Sequence, residues 1–343
     1  MECCKPAMHE KALKKAAHYA REKTFFIHDG FRGSEDLGGG LKATFELEKR
    51  FDLFDGTNGN SNTAAYRAQR GQNANSKDWD GAANLGLAGN WGRVRFGRVN
   101  ELTTETIRKF DPFYQYGVGS MLLSANRSAR IDNTARYDSP KWSGFSFGAS
   151  YSLGQNTRNN GATTGWVTES AHNDGYGINL SYDNGPFMAT ANWSRLADSD
   201  DADTWNVGLA YKFGPARVSL LYENTSYEGW DNGGNSRPAQ NANPFSAQGG
   251  DSDLWLLGLE WDIGPGQLDA SVQYMDFDPS ARGVKDADVY KYAIGYTYNL
   301  SKRTSAYAQV SYSDFDERSA GNFISGLDRS DMWGFQIGMT HKF

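Results

Sequence analysis

From Leu41 to the C-terminus, apolar or aromatic residues fall at every second position in segments of about ten residues, the period of a strand with one apolar and one polar face. In Leu41 to Leu53 one face carries Leu41, Ala43, Phe45, Leu47, Phe51 and Leu53, and the other carries Lys42, Thr44, Glu46, Glu48, Arg50 and Asp52; Lys49 alone is out of phase. Tyr290, Tyr292, Ile294, Tyr296 and Tyr298 form a second such stripe, and Trp255, Leu257, Leu259 and Trp261 a third. The last segment gives Trp333, Phe335, Ile337, Met339, His341 and Phe343. Aromatics gather at the ends of these stripes, as expected of membrane-interface girdles, whereas a soluble sandwich core would favour Val, Ile and Leu throughout.

The connections alternate as well. Short turns stand at Gly38 to Gly40, Trp91 and Gly92, Lys141 to Ser143, Asp183 to Gly185, Gly214 and Pro215, Ile263 to Pro265, and Asn299 to Lys302. Between them fall mostly long polar links, Phe54 to Asp80, Asn100 to Ser128, Gly154 to Asn173, Glu228 to Asp251, Asp278 to Ala287 and Glu317 to Ser330, with a short exception at Ala197 to Asp201. Such alternation puts the long links at one rim, the asymmetry of outer-membrane barrels. The predicted fold is all-β, an antiparallel transmembrane β-barrel of the 16-strand type, over residues 24–343. Fifteen strands are legible, the first at about Phe25 to Leu37. Bacterial single-chain barrels have even numbers, so a further strand is expected before Phe25. Residues 1–23 are instead rich in Ala, Lys and Glu and read as a helical or disordered segment, without the apolar run of a signal peptide. This reads as a misassigned start or a truncated gene, with a plug or regulatory helix as the functional alternative.

Composition supports a barrel. The chain has 39 Gly, 18 Tyr, 19 Phe and 10 Trp, yet only 38% hydrophobic residues and a mean hydropathy of −0.67. No apolar run reaches the length of a membrane-spanning helix. In a closed barrel the outward side chains are apolar and the inward ones can stay wet, which accounts for the low hydropathy. The net charge of −6 with mixed signs gives no support for nucleic acid as a partner. Both cysteines, Cys3 and Cys4, lie in the N-terminal segment; with His9 they are too few for a closed zinc site, so no metal and no cofactor is expected. An enzyme needs a nucleophile, a base and an orienting group together. Of His9, His18, His28, His172 and His341, only His28 falls on a strand position facing the interior, and neither a G-x-S-x-G nor an H-E-x-x-H motif is present.

RGSEDLGGGLKATFELE (Arg32 to Glu48), FGRVN (Phe96 to Asn100), DPF (Asp111 to Phe113), RIDNTARYDSP (Arg130 to Pro140), FSFGASYSLG (Phe145 to Gly154) and GMTHKF (Gly338 to Phe343) together resemble the trimeric general porins of β-proteobacteria such as Neisseria, Bordetella and Burkholderia. The resemblance spans nearly everything after residue 30. It implies an outer-membrane homotrimer in contact with outer-membrane lipid, with a water-filled channel for ions and small hydrophilic solutes. It also implies that Phe343 is the signal read by the outer-membrane assembly machinery. The family's secretion signal and its short aromatic first strand are absent from this sequence.

A barrel of 16 strands leaves an aqueous channel that something must narrow. The 29-residue link Asn100 to Ser128 resembles the loop that folds into the channel in this family; it carries Glu101, Glu105, Arg108, Lys109 and Asp111, followed by FYQYGVGSM. A link this long in a compact fold usually has a function, and Gly117 and Gly119 permit close approach to a wall. Arg50, Arg95, Arg130 and Arg136 fall on the polar side of their strands, with Arg98 where a strand passes into the loop. Guanidinium groups facing loop carboxylates would sort ions and favour anions weakly. Two other readings are a substrate-specific outer-membrane channel, which an aromatic slide along the lumen would favour although Tyr307 is among few inward aromatics, and a surface receptor or adhesin barrel using the Asn/Gly-rich links. Outward Ala135, Ala149, Ala189 and Ala191 are compatible with a subunit contact or with lipid.

Overall fold

The computed structural model describes residues 26–52, 79, 81–122, 130–153, 174–195, 203–226, 250–279, 285–316 and 330–342. The segment 1–23, the long links apart from 101–122, and Phe343 lie outside the described residues, as do the side chains of His28 and Arg50.

Fifteen strands form one sheet in strict sequence order, each antiparallel to the next. They are β1 (Phe26–Gly38), β2 (Leu41–Asp52), β3 (Ala83–Gly89), β4 (Gly92–Asn100), β5 (Arg130–Asp138), β6 (Phe145–Ser152), β7 (Gly175–Asn184), β8 (Phe187–Arg195), β9 (Asp203–Phe213), β10 (Ala216–Ser226), β11 (Gly250–Ile263), β12 (Gly266–Pro279), β13 (Ala287–Asn299), β14 (Thr304–Phe315) and β15 (Asp331–His341). The fifteen strands legible in the sequence are all present, and the further strand expected before Phe25 falls outside the described residues. Among the described residues no ladder joins β1 to β15, and because fifteen is odd these two strands run in the same direction.

The short turns are built by their sequences. Gly185, Gly214 and Gly264 each have φ near +60° and each precedes a proline, Pro186, Pro215 or Pro265. A glycine at the first central position is what a tight primed hairpin turn demands, and proline then fixes the second. The register that follows is regular: Asn184 faces Phe187, Phe213 faces Ala216, and Ile263 faces Gly266.

This register sorts the two faces. Trp255, Leu257, Tyr290, Tyr292, Ile294, Trp333, Phe335 and Ile337 point outward and are exposed, as a lipid-facing band requires. The inward face carries a polar ladder, in which the Asn179 side-chain amide donates to Asn192, Asn192 to Asn206, and Asn206 to the buried carboxylate of Glu223. A wholly wet interior, as alternation alone suggests, is not what forms. Leu221, Leu254, Leu256, Met275, Phe277, Val289 and Phe315 also occupy inward positions and are buried in one apolar cluster. The chain itself supplies the cover, because Ile107, Phe110, Met121 and Leu122 of the segment after β4 complete that cluster.

Candidate functional site

The segment 101–122 begins with a short helix, α1 (Leu102–Ile107), followed by a 3-10 turn over Arg108–Phe110. Glu101 is its N-cap. The carboxylate accepts hydrogen bonds from the backbone N–H of Thr103 at 3.1 Å and of Thr104 at 2.5 Å, and from the Thr103 hydroxyl at 2.7 Å. Those N–H groups would otherwise be orphaned. The helix packs along β6 to β9, with the Thr103 hydroxyl 3.3 Å from that of Ser194.

Asp111 ties the next stretch into a knot. Its carboxylate accepts from the N–H groups of Phe113 at 3.0 Å, Gln115 at 2.8 Å and Met121 at 2.9 Å. The residue is 0% exposed, so it holds the loop and does not line the channel. Burial pushes its carboxyl above the ordinary range, against the pull of these three donors and of Lys291. Tyr114 reaches the opposite way, its hydroxyl donating to Glu260 at 2.8 Å, and burial together with that carboxylate raises its phenol.

The second half of the loop is tethered to four successive strands. Leu122 N–H donates to Gln273 at 2.6 Å on β12, the Lys291 ammonium on β13 donates to Ser120 O at 2.6 Å, Gly119 N–H donates to Gln309 at 3.2 Å on β14, and Val118 N–H donates to Gln336 at 3.1 Å on β15. The loop thus lines the inner face from β6 to β15 and occupies the interior side of a curved sheet.

On the remaining wall the arginines converge as the alternation of β4 and β5 requires. Arg95 and Arg136 are direct cross-strand partners. Asp138 stands between them: it accepts from Arg95 Nη2 at 2.7 Å and from Arg136 Nη2 at 2.7 Å and Nε at 3.0 Å. Arg136 also donates from Nη1 to Glu105 at 2.6 Å, joining wall to loop. Arg98 pairs with Asp132 at 2.7 Å and Arg130 with Glu48 at 3.2 Å. A register shift between Gly97 and Val99 turns this part of β4, which is why Arg98 lies outside the simple parity of the strand.

Of the loop carboxylates Glu101, Glu105 and Asp111, Glu105 alone meets this wall. Glu101 is a buried cap, 3% exposed, and Asp111 is the internal knot; Glu105 is held by Arg136. What the loop turns toward open space is Lys109, which is exposed, with Arg108 half-buried beside it, its Nε donating to Gln115 at 3.2 Å and its guanidinium 5.8 Å from the Tyr116 ring centre. The expected field between basic wall and acidic loop is therefore rearranged: the wall arginines are largely ion-paired, and the loop edge itself is basic. Sequence reasoning missed Asp138, Arg93 and Arg217, whose Nη2 donates to Lys109 O at 2.6 Å, although Asp138 lies two residues from Arg136 and Arg93 two from Arg95, on the same face by parity. The tethering glutamines gave no signal, since inward polar residues are uniformly expected in such a strand.

These features meet in a strand-built wall with an internal loop, and the comparisons with known proteins agree. Residues 15–318 match the family described as Gram-negative porin. The chain belongs to the Gram-negative porin family. It is 31% identical over 339 residues to an outer membrane porin of Bordetella pertussis, covering 92% of this chain and 81% of that protein. It is 27% identical to outer membrane porin protein 32 of Delftia acidovorans, covering 92% and 84%. Among solved structures, the anion-selective porin from Comamonas acidovorans superposes with a TM-score of 0.68 at 25% identity, over 92% of this chain and 89% of that one. Salmonella typhi OmpF, at 17% identity and a TM-score of 0.62, shares the fold. The chain is thus an outer-membrane porin β-barrel, a channel protein, with segment 101–122 inside it.

Proposed function

We propose that this porin is a general diffusion channel with a weak preference for anions, and that segment 101–122 and the β4–β5 wall form its constriction. The observation that carries the reading is the balance of charge around the opening. Asp138 and Glu105 offset Arg95 and Arg136, Asp132 offsets Arg98, and Glu48 offsets Arg130; Arg93 on the inward face of β4 has Asp138 and Glu46 as acidic neighbours, while Arg108 and Lys109 add positive charge at the loop edge. A modest positive potential in a narrow, low-dielectric passage raises the local concentration of anions without excluding cations. That the similar porin from Comamonas acidovorans is anion-selective supports the same sign.

The pore-forming unit is residues 24–343. The resemblance to trimeric porins supports a homotrimer embedded in outer-membrane lipid, inserted by the assembly machinery through the C-terminal aromatic residue, Phe343. Purified protein reconstituted in planar bilayers under a KCl gradient tests the central reading: a zero-current potential of the sign for chloride over potassium is expected, and a potential of the opposite sign overturns it.

A further inference from the structure

The width of the passage depends on how far the backbone of Lys109 and Phe110 stands from the wall. Three contacts fix that distance. The hydroxyl of Ser219 on β10 donates to Phe110 O at 2.6 Å, and Arg217 Nη2 donates to Lys109 O at 2.6 Å. The third contact is the Phe110 ring itself, fully buried, lying flat over Gly208 of β9: a methyl placed on Gly208 would stand 3.0 Å from three of its ring carbons. Carbon atoms rest at about 3.5–4.0 Å, so the ring would have to give way by a few tenths of an ångström for a single methyl, and further for a branched side chain. The wall does not absorb this, because Gly208 is locked in ladders on both sides, opposite Thr190 of β8 and Leu221 of β10. The loop has to move, and the free direction is into the channel.

We propose that Gly208 is a positioning residue for the constriction: by lacking a side chain it lets Phe110 seat against the wall, and so sets both the bore and the distance to which Lys109 reaches into the ion path. The same solution recurs along the loop. Pro112 lies over Gly258 of β11, Phe113 over Gly295 of β13 and Val118 over Gly334 of β15, each within 3.0 Å of where a methyl would be. Phe110 differs from these in being adjacent to the exposed lysine, so its seat is the one that controls charge as well as width. The inference rests on the reading of segment 101–122 as the constriction.

The experiment compares full-length wild type, Gly208→Val, Gly208→Val with Phe110→Ala, and Lys109→Gln, each reconstituted in planar bilayers in KCl, for single-channel conductance and zero-current potential. Gly208→Val is expected to lower conductance by about a fifth or more, given the displacement above, and to shift the potential toward stronger anion preference as Lys109 advances. Adding Phe110→Ala, which removes the ring that clashes, returns both values toward wild type; a variant that merely destabilised the barrel would not be rescued by a second truncation. Lys109→Gln weakens anion preference. If Lys109→Gln shifts the potential but Gly208→Val leaves conductance and potential at wild-type values, the proposal for Gly208 is wrong while the constriction stands. If neither variant changes either quantity, both fall. Should Gly208→Val not assemble, Gly208→Ala carries the test with a single methyl: a smaller decrease supports the proposal and wild-type conductance overturns it.

Discussion

Asp138 illustrates how one carboxylate fixes the character of the wall. Arg95 and Arg136 face each other directly across β4 and β5, an arrangement in which like charges repel, and Asp138 bonds to both. Replacing it by Asn removes one negative charge while keeping a hydrogen-bond acceptor, so anion preference should increase. The measurement is the zero-current potential at low ionic strength, and no change would place the pair outside the ion path. Asp111 is the contrasting case, a charged residue that acts only on structure. Asp111→Ala strands the buried N–H groups of Phe113 and Met121, at about 1–3 kcal/mol for each, and the half-buried N–H of Gln115, so the loop should loosen. Increased open-channel current noise is expected, only partly relieved in Asp111→Asn, whose one carbonyl oxygen can meet only some of the three donors; a quiet Asp111→Ala channel would contradict the role given to this knot.

At the scale of elements, the strands were legible because a lipid-facing band forces period-two alternation, and the register of each hairpin then fixes which side chains face inward. Parity alone puts Arg95 and Arg136 on the polar side of their strands, and the structure has both buried beside Asp138. The loop was legible as a long insertion but its use of charge was not. Glu101 and Asp111 look like lumenal carboxylates in sequence, yet one caps a helix and the other knots a turn, functions that depend on backbone N–H groups which composition does not reveal. The inward apolar residues Leu254, Leu256, Met275 and Phe277 were equally hidden, since their partner is the distant loop and not a neighbouring strand. The glutamine tethers give this element its own test. In the double variant Gln309→Ala and Gln336→Ala, amide hydrogen exchange at Val118 and Gly119 should accelerate while β12 and β13 stay protected. Unchanged exchange at those two amides would show that the apolar contacts alone hold the loop.

At the scale of the molecule, the fifteen antiparallel strands among the described residues leave β1 and β15 pointing the same way, and the porin family places the sheet in the outer membrane as a barrel. A strand-dominated far-UV circular dichroism spectrum and a heat-modifiable band on electrophoresis are expected, and a helix-dominated spectrum would contradict the fold. The electrostatic account also scales with solvent. Lumenal charges act over about 10 Å at 0.1 M salt, so the preference for anions should shrink as KCl rises. The central claim, that a basic constriction sorts ions in this channel, is tested most directly by the zero-current potential of the Arg95→Gln, Arg130→Gln, Arg136→Gln triple variant against wild type at low KCl. Removing the three guanidiniums takes positive charge away from Asp138, Glu105 and Glu48, so the potential should move toward cation preference in a barrel that still folds. A triple variant that folds and retains the wild-type potential would contradict the account.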